Sequence, residues 1–195
     1  MTVFIDCNPS FSIYTQMALV SSDSLIVPMM ADFSSLEGIK GILMLLYGKY
    51  PSSATRNYAA KVVTFNRQIQ QFGLTLPKIF ELPFNNFTSN LGVATAFDAV
   101  REELIDYSWK QYASDPSIFQ NCAVPPTNKR EWETLFVSNV KDFHTAGKVS
   151  ASLGIPLHKL PDQNNYIMPN GEPVGLPKAN YKEALSHLKS FVDKL

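Results

Sequence analysis

The sequence predicts an α/β protein whose mostly parallel sheet is flanked by helices. Three short apolar segments have the length of strands, and stretches with helical periodicity separate them. The first, Val3-Phe4-Ile5, has no polar alternation, which is typical of a strand covered on both faces. Residues 25–28 and 79–84 are the other two predicted strands. Since spacers of helix length join the strands, we expect right-handed parallel connections.

Capping residues and apolar spacing define the predicted helices. Ser10 or Ser12 can cap a helix that runs to about residue 21. Ser34 and Glu37 form a capping box for a long helix whose apolar stripe should face the core. Further helices are predicted over residues 52–73, 92–112, 144–154 and 181–195, and a short one should begin near residue 131. An extended segment should begin at residues 155–157, and Asn170-Gly171 indicates a tight turn.

Length and composition indicate one folded domain over residues 1–195. With 45% hydrophobic and 17% charged residues, the chain can bury a core and is not a disordered tail. Residues 115–130 contain Pro116, Pro125 and Pro126, so we expect an irregular insertion there.

The charge balance limits the possible binding partners, and the cysteines indicate the cellular compartment. The chain has 17 basic and 17 acidic residues, so no net electrostatic field attracts nucleic acid or anionic lipid. DNA binding would therefore need a local patch of basic residues. Cys7 and Cys122 have no metal-ligand spacing, which favours reduced thiols in a cytoplasmic protein. The most apolar stretch, residues 39–47, is too short to span a bilayer, and we expect no membrane binding.

The first predicted strand ends in an aspartate, Asp6. In α/β folds this end of a strand faces the crevice where ligands bind. A characteristic series of residues follows: Asn8-Pro9-Ser10, Thr15-Gln16-Met17-Ala18-Leu19, Ser22-Asp23, Leu25-Ile26-Val27-Pro28 and Asp32-Phe33-Ser34-Ser35-Leu36-Glu37-Gly38. Over about forty residues, this order and spacing resembles the ParA-type partition ATPases.

The resemblance implies a P-loop NTPase-like fold and a set of functional residues. Asp6 would be the Walker B aspartate on the Mg²⁺ side of the site, and Pro9 and Ser10 would lie in the switch II turn. Members of this family bind ATP and Mg²⁺ between two protomers of a homodimer. They also bind nonspecific DNA and a centromere-binding partition protein, and they move plasmids or chromosomes.

Two further positions could form the adenine wall. Asn85 or Asn86 follows the strand over residues 79–84, and an amide can contact a base edge as both donor and acceptor. An ordinary strand-to-helix turn explains these asparagines equally well. Asp142 lies in a segment that matches the family's adenine loop in position, although the usual Ile-Pro start is absent. His144 beside Asp142 could suggest acid–base chemistry, but a solvated histidine at a helix start is the favoured interpretation.

One departure from the family concerns the chemistry directly. The deviant Walker A loop, Lys-Gly-Gly-x-Gly-Lys-Thr/Ser, does not occur in the sequence, and we expect the strands that carry it to precede the printed chain. Phosphoryl transfer depends on that loop to hold the phosphates, so we predict that this chain alone does not turn over ATP.

Two alternatives remain open. One is a nucleotide-free ParA-like adaptor that binds DNA or a partner protein, and the other is a gene fragment without independent function. The lysines of the carboxyl-terminal half could form a DNA surface, although the interspersed acids favour a mixed solvated surface.

Overall fold

The computed structural model describes residues 2–7, 12–87, 94–160 and 165–195. Its helices and strands in chain order are α1 (Ile13–Val20), β1 (Ser24–Ile26), α2 (Phe33–Tyr47), α3 (Ser53–Ala59), α4 (Phe65–Gln71), β2 (Lys78–Phe87), α5 (Ala94–Ser114), α6 (Lys129–Phe136), β3 (Val137–Lys141), α7 (His144–Leu153), β4 (Asn165–Ile167), β5 (Pro173–Gly175) and α8 (Lys178–Val192). Short 3₁₀ turns cover Pro116–Ile118 and Leu157–Lys159.

The central sheet has three strands in the order β1-β2-β3, and both pairings are parallel. Leu25 lies opposite Ile79, and Leu82 lies opposite Val137. Helices separate the strands along the chain, so the predicted α/β class with a parallel sheet is confirmed. The sequence analysis missed β3, because Ser138 and Asn139 interrupt its apolar pattern.

The first predicted strand is not formed. Residues 2–7 have no regular secondary structure, and Val3, Phe4 and Ile5 are 65%, 67% and 49% exposed. An apolar run becomes a strand only when a neighbour supplies the ladder of hydrogen bonds, and no described strand pairs with this segment. The prediction of a buried strand leading to Asp6 is therefore wrong for the described structure.

Helix α2 covers the sheet with the predicted stripe but begins earlier than expected. Leu36, Ile39, Leu43 and Leu46 are all buried. The N-cap is Asp32, whose carboxylate accepts a hydrogen bond from the backbone N–H of Ser35 at 2.7 Å. The predicted capping box at Ser34 is wrong because Ser34 already lies within the helix.

The predicted helix over residues 52–73 is divided into α3 and α4. Val62, Val63 and Thr64 are β-branched and disfavour a continuous helix, and Thr64 takes an extended conformation as the N-cap of α4. The Arg67 guanidinium donates to the carbonyls of Ala60 and Val62 at 3.4 and 3.2 Å, so it partly satisfies the end of α3.

The proline-containing segment 115–130 is irregular along most of its length and still contributes to the core. Phe119 is 1% exposed, and the backbone N–H of Gln120 donates to the carbonyl of Ile79 at 2.8 Å. Phe119 packs edge-on against Trp132 and Phe136 of α6. The segment thus joins α5 to α6 through the main hydrophobic cluster.

The carboxyl-terminal part forms a second cluster around Val149, Leu160 and Tyr181. Strands β4 and β5 pair as an antiparallel hairpin, and Gly171 has the left-handed φ of 83° that the predicted turn at Asn170-Gly171 requires. The expected extended segment over residues 155–157 is wrong, because the chain turns there into the 3₁₀ turn Leu157–Lys159. None of the helices in the described part is both long and apolar enough to cross a bilayer.

Candidate functional site at the carboxyl edge of the sheet

The three parallel strands end at one edge of the sheet. Beyond β1, the chain stays hydrogen-bonded to β2, since Met29 N–H donates to the Pro83 carbonyl and Asn85 N–H donates to the Met29 carbonyl, both at 2.8 Å. Asp32 follows β1, Asn85 lies near the end of β2, and Asp142 follows β3. In open α/β sheets this edge is the usual place for a ligand.

At the end of β1, Asp32 serves the local structure. Its carboxylate caps α2, and the Ser35 hydroxyl accepts a hydrogen bond from the N–H of Met30 at 2.9 Å. These two contacts fix the turn between strand and helix. The Asp32 oxygen used in the cap is therefore already engaged.

Near the end of β2, Asn85 is exposed, but it lies within the strand, which continues to Phe87, and not after it as the sequence analysis expected. Asn86 follows it in β2, and the side chain of Asn86 lies outside the described part of the structure. Contact with an adenine stays a prediction for both asparagines.

At the end of β3, both oxygens of Asp142 contact His144. Oδ1 accepts a hydrogen bond from the His144 backbone N–H at 2.7 Å, and Oδ2 lies 2.9 Å from the ring Nδ1. His144 is the first residue of α7 and has a φ of 45°, in the left-handed region that non-glycine residues rarely adopt. The favoured interpretation of a solvated histidine is thus incomplete, because the half-exposed ring is paired. Asp142 holds the loop in shape.

Asp6, the predicted Mg²⁺-side aspartate, lies in the exposed segment 2–7. Pro9 and Ser10, which were predicted to form the switch II turn, lie outside the described residues. Mg²⁺ needs near-octahedral oxygen coordination, and the described residues contain no group of three or more His, Cys, Asp or Glu side chains that could hold a metal ion. A Mg²⁺ ion bound by Asp6 would therefore need phosphate and water oxygens to complete its coordination.

Two surface pockets among the described residues lie away from this edge. One, of about 330 Å³, lies at the opposite end of β1 and β2 and is lined in part by Ser22, Asp23 and Lys78. The other lies beside Glu81 of β2 and Lys194 near the chain end. The sequence analysis passed over Glu81, although a charged residue inside an apolar strand is a signal that could have drawn attention to it.

Helix α8 carries an exposed stripe of basic residues, which we call the α8 lysine stripe: Lys178, Lys182 and Lys189. At 3.6 residues per turn, these three positions fall on one side of the helix. None of the three takes part in an ion pair with the described residues, whereas the neighbouring Glu183 pairs with Lys141 at 2.5 Å. The sequence analysis included these lysines among its basic residues but did not separate them as a stripe.

Comparison with known proteins adds one finding for the amino-terminal part. Residues 2–48 match a family model described as an AAA domain. The matched segment contains Asp6, extends through α2 and covers less than half of the chain. The parallel sheet flanked by helices is consistent with a P-loop-like fold. Searches of curated proteins and of solved structures gave no match.

Proposed function

We propose that this chain is a ParA-like partition protein that does not hydrolyse ATP by itself. The observation that carries the proposal is the match of residues 2–48 to an AAA domain, together with a parallel sheet whose carboxyl edge holds Asn85 and Asp142. The proposal includes a cytoplasmic homodimer and a centromere-binding partition protein as its partner. The role in partitioning is inferred from the resemblance to the family, and the lack of ATP turnover is inferred from the residues of this chain.

The predicted lack of turnover follows from the donors that the chain offers. Backbone N–H groups and a lysine of a glycine-rich loop must hold the phosphates during phosphoryl transfer. Asp6 supplies one exposed carboxylate, and the Asp142 carboxylate is engaged by His144. A carboxylate alone does not bind the polyphosphate, so ATP and Mg²⁺ would be held only when a phosphate-binding segment joins the edge.

The test is a calorimetric titration with ATP and Mg²⁺, with and without a separate polypeptide that carries the family's Walker A segment. We expect no turnover by the chain alone, and binding only when the segment is present. Asp6→Asn should then weaken binding by about tenfold or more, the usual cost of losing one charge-assisted contact. Asp23→Asn is the matched control, because Asp23 is an exposed aspartate at the other end of β1.

Two results would count against the proposal in different ways. ATP hydrolysis by the chain alone that disappears in Asp6→Asn would contradict the requirement for a phosphate loop. Absence of binding in both arrangements would remove ATP and Mg²⁺ from the function and leave the adaptor as the leading candidate.

The α8 lysine stripe favours a second candidate, a nucleotide-free ParA-like adaptor that binds nonspecific DNA. Its three exposed lysines lack intramolecular ion-pair partners among the described residues. Lysines in this state can neutralise backbone phosphates without breaking an existing pair. This function needs no phosphate loop.

A further inference from the structure

The buried carboxylate of Glu81 is only half satisfied. Glu81 lies in the central strand β2, and its side chain is 1% exposed. One oxygen, Oε1, lies 2.6 Å from Nζ of Lys194, whereas Oε2 has no hydrogen-bond partner among the described residues. Removing a charged oxygen from water without a partner costs free energy. A donor that reached Oε2 would therefore be bound favourably.

A pocket of about 320 Å³ lies at this carboxylate. Its volume is at the lower end of the range for small-molecule sites. The lining combines an apolar wall with amide, hydroxyl and thiol groups: Phe80, Gln120, Asn121, Cys122, Thr134, Leu135 and Phe136, besides Glu81 and Lys194. Such a lining suits a ligand with one cationic end and a short apolar body.

Lys194 is a replaceable partner for Glu81. It lies beyond the last residue of α8, Val192, and its side chain is 33% exposed. The ammonium group can therefore turn into water without unfolding a helix. An ammonium is also a point charge, and in this structure it engages one of the two carboxylate oxygens.

We propose that this pocket binds a small organic cation of the guanidinium class, which contacts both oxygens of Glu81 in place of Lys194. A guanidinium presents two parallel N–H donors that match the two oxygens of a carboxylate. Its short apolar body would pack against Phe80 and Leu135. The site lies on the middle of β2 and not at the carboxyl edge, so it is independent of the proposed nucleotide chemistry.

The test uses n-butylguanidinium as the probe and calorimetry as the readout. Lys194→Met removes the internal competitor and should tighten binding at least tenfold relative to the unaltered chain. Lys148→Met is the matched control, because Lys148 is an exposed lysine of α7 that does not line this pocket, and it should leave the affinity unchanged. n-Butylurea, which is close in shape but uncharged, should not bind either protein measurably.

Three outcomes would overturn the proposal: equal affinity in Lys194→Met and the unaltered chain, equal binding of n-butylurea, or full binding retained when Glu81→Gln is added to Lys194→Met. Near-ultraviolet circular dichroism checks that each variant is folded. If the double variant does not fold, the comparison of n-butylguanidinium with n-butylurea on Lys194→Met still decides whether charge recognition occurs.

Discussion

At the scale of single residues, the ion pair between Lys49 and Asp115 connects two distant parts of the chain. Lys49 follows α2, and its Nζ lies 2.7 Å from Oδ2 of Asp115, which follows α5. The hydrogen bond from Lys49, with a further one from the Ser117 hydroxyl, holds the pKa of Asp115 below its usual value. Both partners are about one third exposed, so solvent screens the pair.

Replacing Asp115 by Asn should therefore have an effect that depends on pH. A lowered folded-state pKa contributes stability above the ordinary aspartate pKa of about 3.9, and that contribution disappears as the pH falls through the folded-state value. Asn remains a competent cap, so the substitution chiefly removes the charge. We expect Asp115→Asn to unfold at lower urea concentration than the unaltered chain at pH 7, with the difference vanishing in strong acid.

Urea titrations at several pH values would measure this difference. Glu103→Gln, an exposed carboxylate on α5 without an ion pair in the described structure, is the control and should change the midpoint little at any pH. A difference for Asp115→Asn that stays constant from pH 7 into acid would show that charge pairing is not its cause.

The residue scale also shows what the sequence could reveal about the site. The sequence analysis placed Asn85 near the end of a strand, and Asn85 lies close to the end of β2, which continues to Phe87. It could not place Asp142 at a strand end, because it missed β3, and the roles of both residues in binding stay predictions. The pairing of Asp142 with His144 could not be read from adjacency, because it depends on a backbone turn with positive φ. The pairing of only one Glu81 oxygen could not be predicted either, because its partner, Lys194, lies more than a hundred positions away in the sequence.

At the scale of elements, substitutions can distinguish the N-cap of α2 predicted from the sequence, Ser34, from the one that the structure shows, Asp32. Asp32 accepts the capping hydrogen bond, whereas Ser34 lies exposed inside the first turn. Asp32→Ala should lower the free energy of unfolding by about 1 kcal/mol. Ser34→Ala should change it by less than about 0.5 kcal/mol, as expected for an exposed helical position.

Chemical denaturation of the two variants, side by side, would check this expectation. If Ser34→Ala destabilised the protein as much as Asp32→Ala, the result would support the capping box that was predicted at Ser34. Equal small effects from both variants would mean that packing of Leu36 and Leu43 determines the helix start more than the cap does.

The boundaries of helices and turns could be predicted where neighbouring residues in the sequence determine them. They could not be predicted where contacts with distant parts of the chain determine them. The apolar stripe of α2 and the turn at Gly171 are local and were found. The run Val3-Phe4-Ile5 reads as a strand in any sequence-based analysis, yet a strand requires a pairing neighbour. The division between α3 and α4 was readable in the β-branched residues 62–64, but the apolar periodicity that continues across them hid it.

At the scale of the whole molecule, zero net charge makes the distribution of charge more important than its sum. Several basic residues are paired internally, and Lys129, which contacts Asp106 and Glu102, has its pKa raised by those hydrogen bonds. The α8 lysine stripe has no such pairs within the described structure. We therefore expect the α8 lysine stripe, which places on one side of one helix three lysines that are unpaired among the described residues, to make the main DNA contact.

We expect DNA affinity to fall steeply with salt and to depend on the stripe. Replacing Lys178, Lys182 and Lys189 together by Gln should reduce the slope of log K against log salt by about 2 to 3, since each phosphate contact contributes about 0.9. Fluorescence anisotropy with a labelled duplex at several salt concentrations measures the slope.

The matched control is the triple replacement of Lys61, Lys110 and Lys159 by Gln. These lysines are exposed and lie on separate parts of the chain, so the control removes the same charge without removing the stripe. An equal loss in both triple variants would indicate general charge attraction. No binding of the unaltered chain at low salt would exclude DNA as a direct partner.

The parallel arrangement of β1, β2 and β3 has a kinetic consequence. Each strand pair encloses a long crossover, with α2, α3 and α4 between β1 and β2, and with α5 and α6 between β2 and β3. The chain must close both loops before the central strand has its two neighbours, and the entropy of loop closure is lost before the strand contacts form. Helices can form locally within microseconds, but the sheet cannot. We therefore expect the helices to form before the sheet is complete, and the rate at which β2 acquires both neighbours should set how long its apolar surface stays exposed to other chains.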